Sequence, residues 1–207
     1  MSENKRNYQR ELDILIENNT KEGRVPTLFL HACCAPCSSY CLEYLSGYFK
    51  ITVVFYNPNI TEKDEYTYRL EEEKRLIREM SFEHPVEIVE GEYIPDRFFD
   101  LAKGLESAPE RGPRCIKCFE ERLRYTANLA KEKGADYFAT TLTLSPLKNA
   151  DAINKIGESL SEAAGVAYLC TDFKKKGGYL RSLELSKEHN LYRQNFCGCI
   201  FSKKTSL

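Results

Sequence analysis

No apolar run in the chain approaches the length of a membrane span, so a transmembrane helix is excluded. Met1 to Arg10 is charged and polar, which speaks against a secretory signal. A cytoplasmic protein with no membrane partner is therefore expected. Net charge is also nearly missing: 30 Lys and Arg against 31 Asp and Glu leave −1 at pH 7. No global field draws such a chain to nucleic acid, and any contact of that kind has to come from a local basic patch. Only three histidines are present, His31, His84 and His189, and none has the paired spacing of a histidine metal site. Repeats and low-complexity tracts are absent.

Cysteine is what the chain has in plenty, with 9 in 207 residues. In a cytosolic protein so many thiols point to metal or redox chemistry before a structural disulfide framework. The odd number leaves at least one outside any set of pairs. The length suits one domain with a real core, and 42% hydrophobic residues beside 29% charged ones are ordinary for a globular chain.

Hydrophobic periodicity gives the element order. An amphipathic helix is expected over 5–18, on an N-terminal extension of residues 1–25. A single α/β domain over 26–207 follows. Strands are expected at 27–31, 51–56, 86–89, 136–144 and 166–170. The helices between and after them are expected at 38–48, 63–80, 95–103, 115–133, 149–164 and 179–189. Gly134 and Gly165 stop two of these helices. Strands alternating with helices predict a Rossmann-like parallel sheet covered on both faces, with an irregular Cys-rich C-terminal tail.

The stretch around which this order turns is His31-Ala32-Cys33-Cys34-Ala35-Pro36-Cys37. It follows the first strand directly, where such folds place ligands. Cys115 and Cys118 lie three apart at a helix start, so their sulfurs share one side of the first turn. A helix N-terminus is expected to lower their thiol pKa values. Cys33, Cys34, Cys115 and Cys118 together offer four thiolates, suited to a cubane iron–sulfur cluster or to tetrahedral zinc. The adjacent pair is an uncommon zinc spacing, which favours iron–sulfur. Cys37 can reach the same site as an extra ligand, whereas Cys41 and Cys170 are expected in the core. Cys197-Gly198-Cys199 is too closely spaced for a relaxed disulfide. Redox chemistry, metal ligation and two plain thiols all remain open for it.

Charge runs are usually solvated surface, but two lie beside these cysteines. Arg111, Arg114, Lys117, Arg122 and Arg124 flank the second pair, and Lys174, Lys175, Lys176, Arg181 and Arg193 flank the third. With Tyr179 and Tyr192 as stacking faces, this is the pattern of a nucleic-acid footprint.

Five ordered motifs carry a family resemblance. They are Cys33-Cys34-Ala35-Pro36-Cys37, Tyr56-Asn57-Pro58-Asn59-Ile60, Arg114-Cys115-Ile116-Lys117-Cys118-Phe119-Glu120, Ser145-Pro146-Leu147-Lys148-Asn149, and Tyr192-Arg193-Gln194-Asn195-Phe196-Cys197-Gly198-Cys199. Together they resemble the epoxyqueuosine reductases of the QueH type. The resemblance implies a fold similar to the adenine-nucleotide alpha hydrolases. It implies reduction of epoxyqueuosine to queuosine at the wobble position of tRNA. It also implies a four-iron–four-sulfur (4Fe-4S) cluster on Cys33, Cys34, Cys115 and Cys118, and a redox-active pair, Cys197 and Cys199. A further iron is implied close by. Where this chain has Cys37, members of that family also carry Asp, another anionic donor, so Cys37 is the expected ligand of that iron. No Ser-Gly-Gly-x-Asp-Ser phosphate loop follows the first strand, so ATP use is not expected. Arg111, Arg114, Lys117, Lys174, Lys175, Lys176 and Arg193 are the candidate tRNA contacts. The electron donor is left unidentified. Two other classes compete: a non-catalytic zinc-binding RNA module, and a metal-free thiol–disulfide oxidoreductase working through Cys197 and Cys199.

Overall fold

A computed structural model of the chain describes residues 6–203. Residues 1–5 of the expected extension and 204–207 of the expected domain lie outside it. Strands β1 (Thr27–His31), β2 (Lys50–Phe55), β3 (Val86–Glu90), β4 (Tyr137–Thr140) and β5 (Ala167–Tyr168) form one sheet in the order β3-β2-β1-β4-β5. Every neighbouring pair is parallel. Helices α1 (Tyr8–Lys21), α2 (Ala35–Leu45), α3 (Lys63–Glu79), α4 (Pro95–Ala102), α5 (Pro113–Glu132), α6 (Ala150–Ala164) and α7 (Gly178–Glu188) surround it. None is long and apolar enough to cross a membrane.

The alternation of side chains along β1 splits the core in two. Leu28 and Leu30 face one apolar layer with Leu12 of α1, Leu42 and Leu45 of α2, and Leu185 of α7. Phe29 faces the other, with Leu123 and Ala127 of α5 and Ile153 and Leu160 of α6. Helix α1 is fastened as well as packed: Tyr44 donates to Asp13 at 3.0 Å and Lys176 pairs with it at 2.7 Å.

Helix α1 runs Tyr8–Lys21 rather than 5–18, and α2 ends at Leu45 rather than 48. Three other boundaries differ from the periodicity, each for a local reason. Helix α2 begins at Ala35 rather than 38, because Pro36 fits the first turn, where its missing N–H is not needed. Cys37 therefore sits on a helix and not in a loop. Strand β4 stops at Thr140, and Thr141–Leu144 winds into a 3-10 turn, since the Thr140 hydroxyl accepts from Leu142 N at 3.1 Å. Strand β5 is only two residues long. Beyond it Asn154 pairs with both backbone groups of Thr171, at 2.9 and 3.1 Å, and draws the chain off the sheet.

The central strand has β2 on one side and β4 on the other. The chain direction reverses there, which opens a crevice beyond the carboxyl ends of β1 and β4, the position where open α/β sheets bind ligands. The segment after β1 is the cysteine stretch.

Candidate functional site

A cavity of about 600 Å³ occupies that crevice. Cys33 and Cys37 line it from the end of β1 and the start of α2, Cys115 from the start of α5, and Cys197 from the tail. Thiols more than 160 positions apart in sequence thus face one space.

Cys33, Cys34 and Cys37 lie with their sulfurs within 4.8 Å of one another, and the Cys33 and Cys34 sulfurs are 3.7 Å apart. Among the described residues this trio alone meets the geometry of a metal site. Its thiols share protons unequally. Cys34 and Cys37 both hydrogen-bond to the Cys33 sulfur and pull its pKa well below the usual thiol value. Their own values rise, that of Cys34 to about 12. Gln194 of the tail donates to the Cys34 sulfur at 2.9 Å, joining the last motif to the first.

Cys115 lies on the first turn of α5 and Cys118 on the second, three residues apart as in the sequence. Their pKa values run against expectation: both are raised, Cys118 to about 12, chiefly by burial. Loss of water outweighs the helix terminus here. Cys118 and Cys199 pack with Phe98 in a small apolar cluster. Cys197 and Cys199 are free thiols. Their tail is clamped from α3, where the buried Arg69 pairs with Glu65 at 2.7 Å and donates to Cys197 O at 3.1 Å and Phe196 O at 3.3 Å. Gly198, at φ 107°, lies so close that a Cβ would stand 2.9 Å from Ile60 and 3.2 Å from Arg69, so only glycine fits. Cys41 is in the core as expected. Cys170 is not: it lies half-buried between Glu158 and Arg6.

The basic residues separate into groups that their spacing did not distinguish. Arg111 and Arg193 are exposed and line the cavity, and Lys117 is exposed on α5. Arg114 is 2% exposed and donates to the carbonyls of Leu105, Glu106 and Ala108, so it braces the loop before α5 and is corrected as a phosphate contact. Lys174 pairs with Asp172 at 2.8 Å and Lys176 with Asp13 at 2.7 Å, and neither lines the cavity. Lys175 is exposed beside them. Arg124 pairs with Glu120 on its own helix.

Arg122 departs furthest from a surface role, being 1% exposed. Its Nε donates to Cys118 O at 3.1 Å and its Nη1 lies 3.5 Å from Asn57 Oδ1, while Nη2 has no partner. Lys148 was also missed, although it stands inside a motif. It lines the cavity, and the charges acting on it come first from Cys197, Cys33 and Cys37. Gln194, likewise inside one of the five motifs, has no role that its spacing could reveal. Deeper lies His31, fully buried, between the Thr140 hydroxyl at 2.9 Å and Tyr56 O at 3.3 Å. Burial pushes its pKa down to about 3, so it is a neutral strut.

Fold and site together define a doubly wound α/β protein whose ligand crevice is walled by thiols, with a cysteine trio able to hold a metal ion. A family model described as "Epoxyqueuosine reductase QueH" matches residues 28–205. The chain is 42% identical over 206 residues to the epoxyqueuosine reductase QueH of Staphylococcus epidermidis (strain ATCC 12228 / FDA PCI 1200), covering 98% of this chain and 87% of that one. It is 35% identical over 182 residues to the protein of the same name from Thermotoga maritima (strain ATCC 43589 / DSM 3109 / JCM 10099 / NBRC 100826 / MSB8), covering 85% and 90%. Among solved structures, NMN synthetase from Francisella tularensis aligns with a TM-score of 0.39 and 10% identity, over 91% of this chain and 87% of that one. The chain belongs to the epoxyqueuosine reductase QueH family.

Proposed function

We propose that this chain reduces epoxyqueuosine to queuosine in tRNA, with a four-iron–four-sulfur cluster on Cys33, Cys34, Cys115 and Cys118. Family membership makes it an oxidoreductase and supplies the substrate class. Cys37 is assigned to a separate iron and Cys197 with Cys199 to a redox-active pair.

The observation that carries the cofactor is Arg122. A buried guanidinium with an unpartnered nitrogen is costly unless an anion lies nearby. The sulfurs that favour its cationic form once they are ionised, as metal binding would make them, are those of Cys118, Cys197, Cys33 and Cys115. The donor set is all sulfur, which selects soft metals. An anionic metal–thiolate group therefore fits the residues present. When bound, the cluster supplies one-electron transfer. The protein's own residues do the rest: Arg69 and Gly198 hold the tail against the cavity, Gln194 orients Cys34, and Arg111, Arg193 and Lys117 offer cations for the tRNA backbone. A flipped or unstacked anticodon base is the natural occupant of a cavity of this size.

The test is anaerobic purification followed by iron and acid-labile sulfide assay, then incubation with epoxyqueuosine-containing tRNA, a reductant and mass spectrometry of the nucleosides. Four or more irons with matching sulfide, and queuosine as product, are expected. Stoichiometric zinc without sulfide overturns the cofactor, and unchanged epoxyqueuosine overturns the reaction.

A further inference from the structure

We propose that Lys148 is the catalytic group that donates a proton to the departing epoxide oxygen. The proposal rests on the reduction reading above and assigns a role that reading leaves empty.

Lys148 lies between the 3-10 turn after β4 and the start of α6, beyond the carboxyl end of β4. It lines the same cavity as Cys33, Cys37 and Cys197. Its side chain is half-buried, unlike Arg193 and Arg111, which are exposed on the same cavity. The ammonium makes no hydrogen bond or ion pair with any described residue. Lys174 and Lys176, by contrast, each hold a carboxylate, at 2.8 and 2.7 Å. A lysine ammonium carries three donors and no acceptor. Enclosed without a protein partner, those donors are available to whatever fills the cavity. Burial works against its charge, but sulfur ionised at Cys197, Cys33 or Cys37 acts the other way, and the balance favours the ammonium. It therefore stands, protonated, among the thiols of both the first and last motifs.

The reaction needs such a donor. Removing the epoxide oxygen breaks two C–O bonds and makes one C=C bond. It consumes two electrons and two protons, and the oxygen leaves as water. The electrons come from two equivalents of a low-potential one-electron carrier. Without a proton, the first C–O bond to break leaves an alkoxide, a poor product in a half-buried site. Lys148 donates a hydrogen bond to the ring oxygen, then its proton as that bond breaks, and the resulting amine is reprotonated by water. Solvent supplies the second proton. The other described cations that line the cavity, Arg69, Arg111 and Arg193, are arginines, and an arginine does not give up its proton.

The experiment uses the anaerobically purified full-length holoenzyme with Lys148→Met, Lys148→Arg and Lys148→Ala, each assayed for iron and sulfide, for tRNA affinity and for single-turnover rate on epoxyqueuosine-containing tRNA. Positioned general acids contribute roughly 10²–10⁴-fold. Lys148→Met is expected to keep its metal content and its affinity within about twofold, and to lose at least about 100-fold in rate. Lys148→Arg keeps the charge and stays slow. Ethylammonium restores at least about tenfold to Lys148→Ala, a response that a merely structural lysine does not show. Three results overturn the assignment: a Met variant with a third or more of the wild-type rate, a rate loss matched by an affinity loss that Arg repairs, or loss of iron in all three variants. Reduction by wild type with an indifferent Met variant removes Lys148 alone. No reduction by wild type removes the parent reading and this one together.

Discussion

Arg122 stands one helical turn beyond Cys118, and its Nε donates to the Cys118 carbonyl oxygen at 3.1 Å. The bond folds the guanidinium back along α5 toward the thiols, where a fixed positive charge favours the more negative, reduced state of a bound cluster. Arg122→Met is expected to lower the midpoint potential, and Arg122→Lys to retain most of it. A tenfold change in the reduced-to-oxidised ratio equals about 59 mV for one electron. Spectroelectrochemical titration reads the difference. Equal potentials in wild type and Arg122→Met would show that the charge is screened from the cluster.

Removing a proposed cluster ligand should be all or none. Cys33→Ala and Cys115→Ala are each expected to lose the visible absorption of the cluster together with activity, whereas Cys170→Ala should keep both. Cys170 lies between Arg6 and Glu158, outside the cavity lining, and serves as the control. Retained absorption in the Cys115 variant would confine the metal to the trio at Cys33, Cys34 and Cys37.

The proposed second iron is tested at Cys37. Cys37→Ala is expected to keep the cluster spectrum, lose about one iron per chain and lose most turnover, since a Lewis-acid contribution is worth several kcal/mol. Cys37→Asp should keep an anionic donor and much of the rate. Full iron and full turnover in the Ala variant would move the second iron elsewhere.

The exposed cations Arg111, Lys117 and Arg193 are the proposed tRNA contacts. Neutralising any one of Arg111, Lys117 or Arg193 is expected to lower the slope of log affinity against log salt by about 0.7–0.9. Arg114→Gln should act through stability instead, because three carbonyls of the loop lose their donor. A changed slope in the Arg114 variant with unchanged unfolding would reverse that order.

Glu73 makes stability depend on pH. It is fully buried on α3, both carboxylate oxygens lack a partner, and burial lifts its pKa from 4.5 to about 8. Between these values the folded chain keeps a proton that the unfolded chain releases. Stability is therefore whole below 4.5 and falls as pH rises through 8, by about 1.4 kcal/mol per unit at most. Glu73→Gln should remove this slope and leave the variant the more stable protein at pH 8. Urea unfolding at pH 6 and pH 8 under reducing conditions measures it, and parallel behaviour of the two proteins would refute the shift.

Much of the site was readable because it is local. Thiols after an apolar strand, and at i and i+3 on a helix start, occupy places that backbone geometry imposes, so the two cysteine pairs could be located before any fold was known, whereas the close grouping of Cys33 and Cys34 with Cys37 appears only in the fold. Apolar periodicity likewise located β1 to β3 within a residue or so. It overran β4 and β5, because a count of apolar residues does not register Thr140 capping a turn or Asn154 capturing the backbone of Thr171.

What the sequence by itself determined is a run of alternating strands and helices with sulfur donors at their ends. Which residues share the crevice was decided by the tertiary structure, for β1 is central only because β4 crosses over to pair with it. The tail meets the first motif through Gln194 on the Cys34 sulfur and is held there by Arg69 of α3. Burial then made the distinctions that composition cannot express. Arg111, Arg114 and Arg122 are alike in sequence, yet one meets solvent, one braces a loop and one is held beside thiols. The thiols of Cys33 and Cys118 likewise part in pKa, because one accepts hydrogen bonds from its neighbours and the other has lost its water.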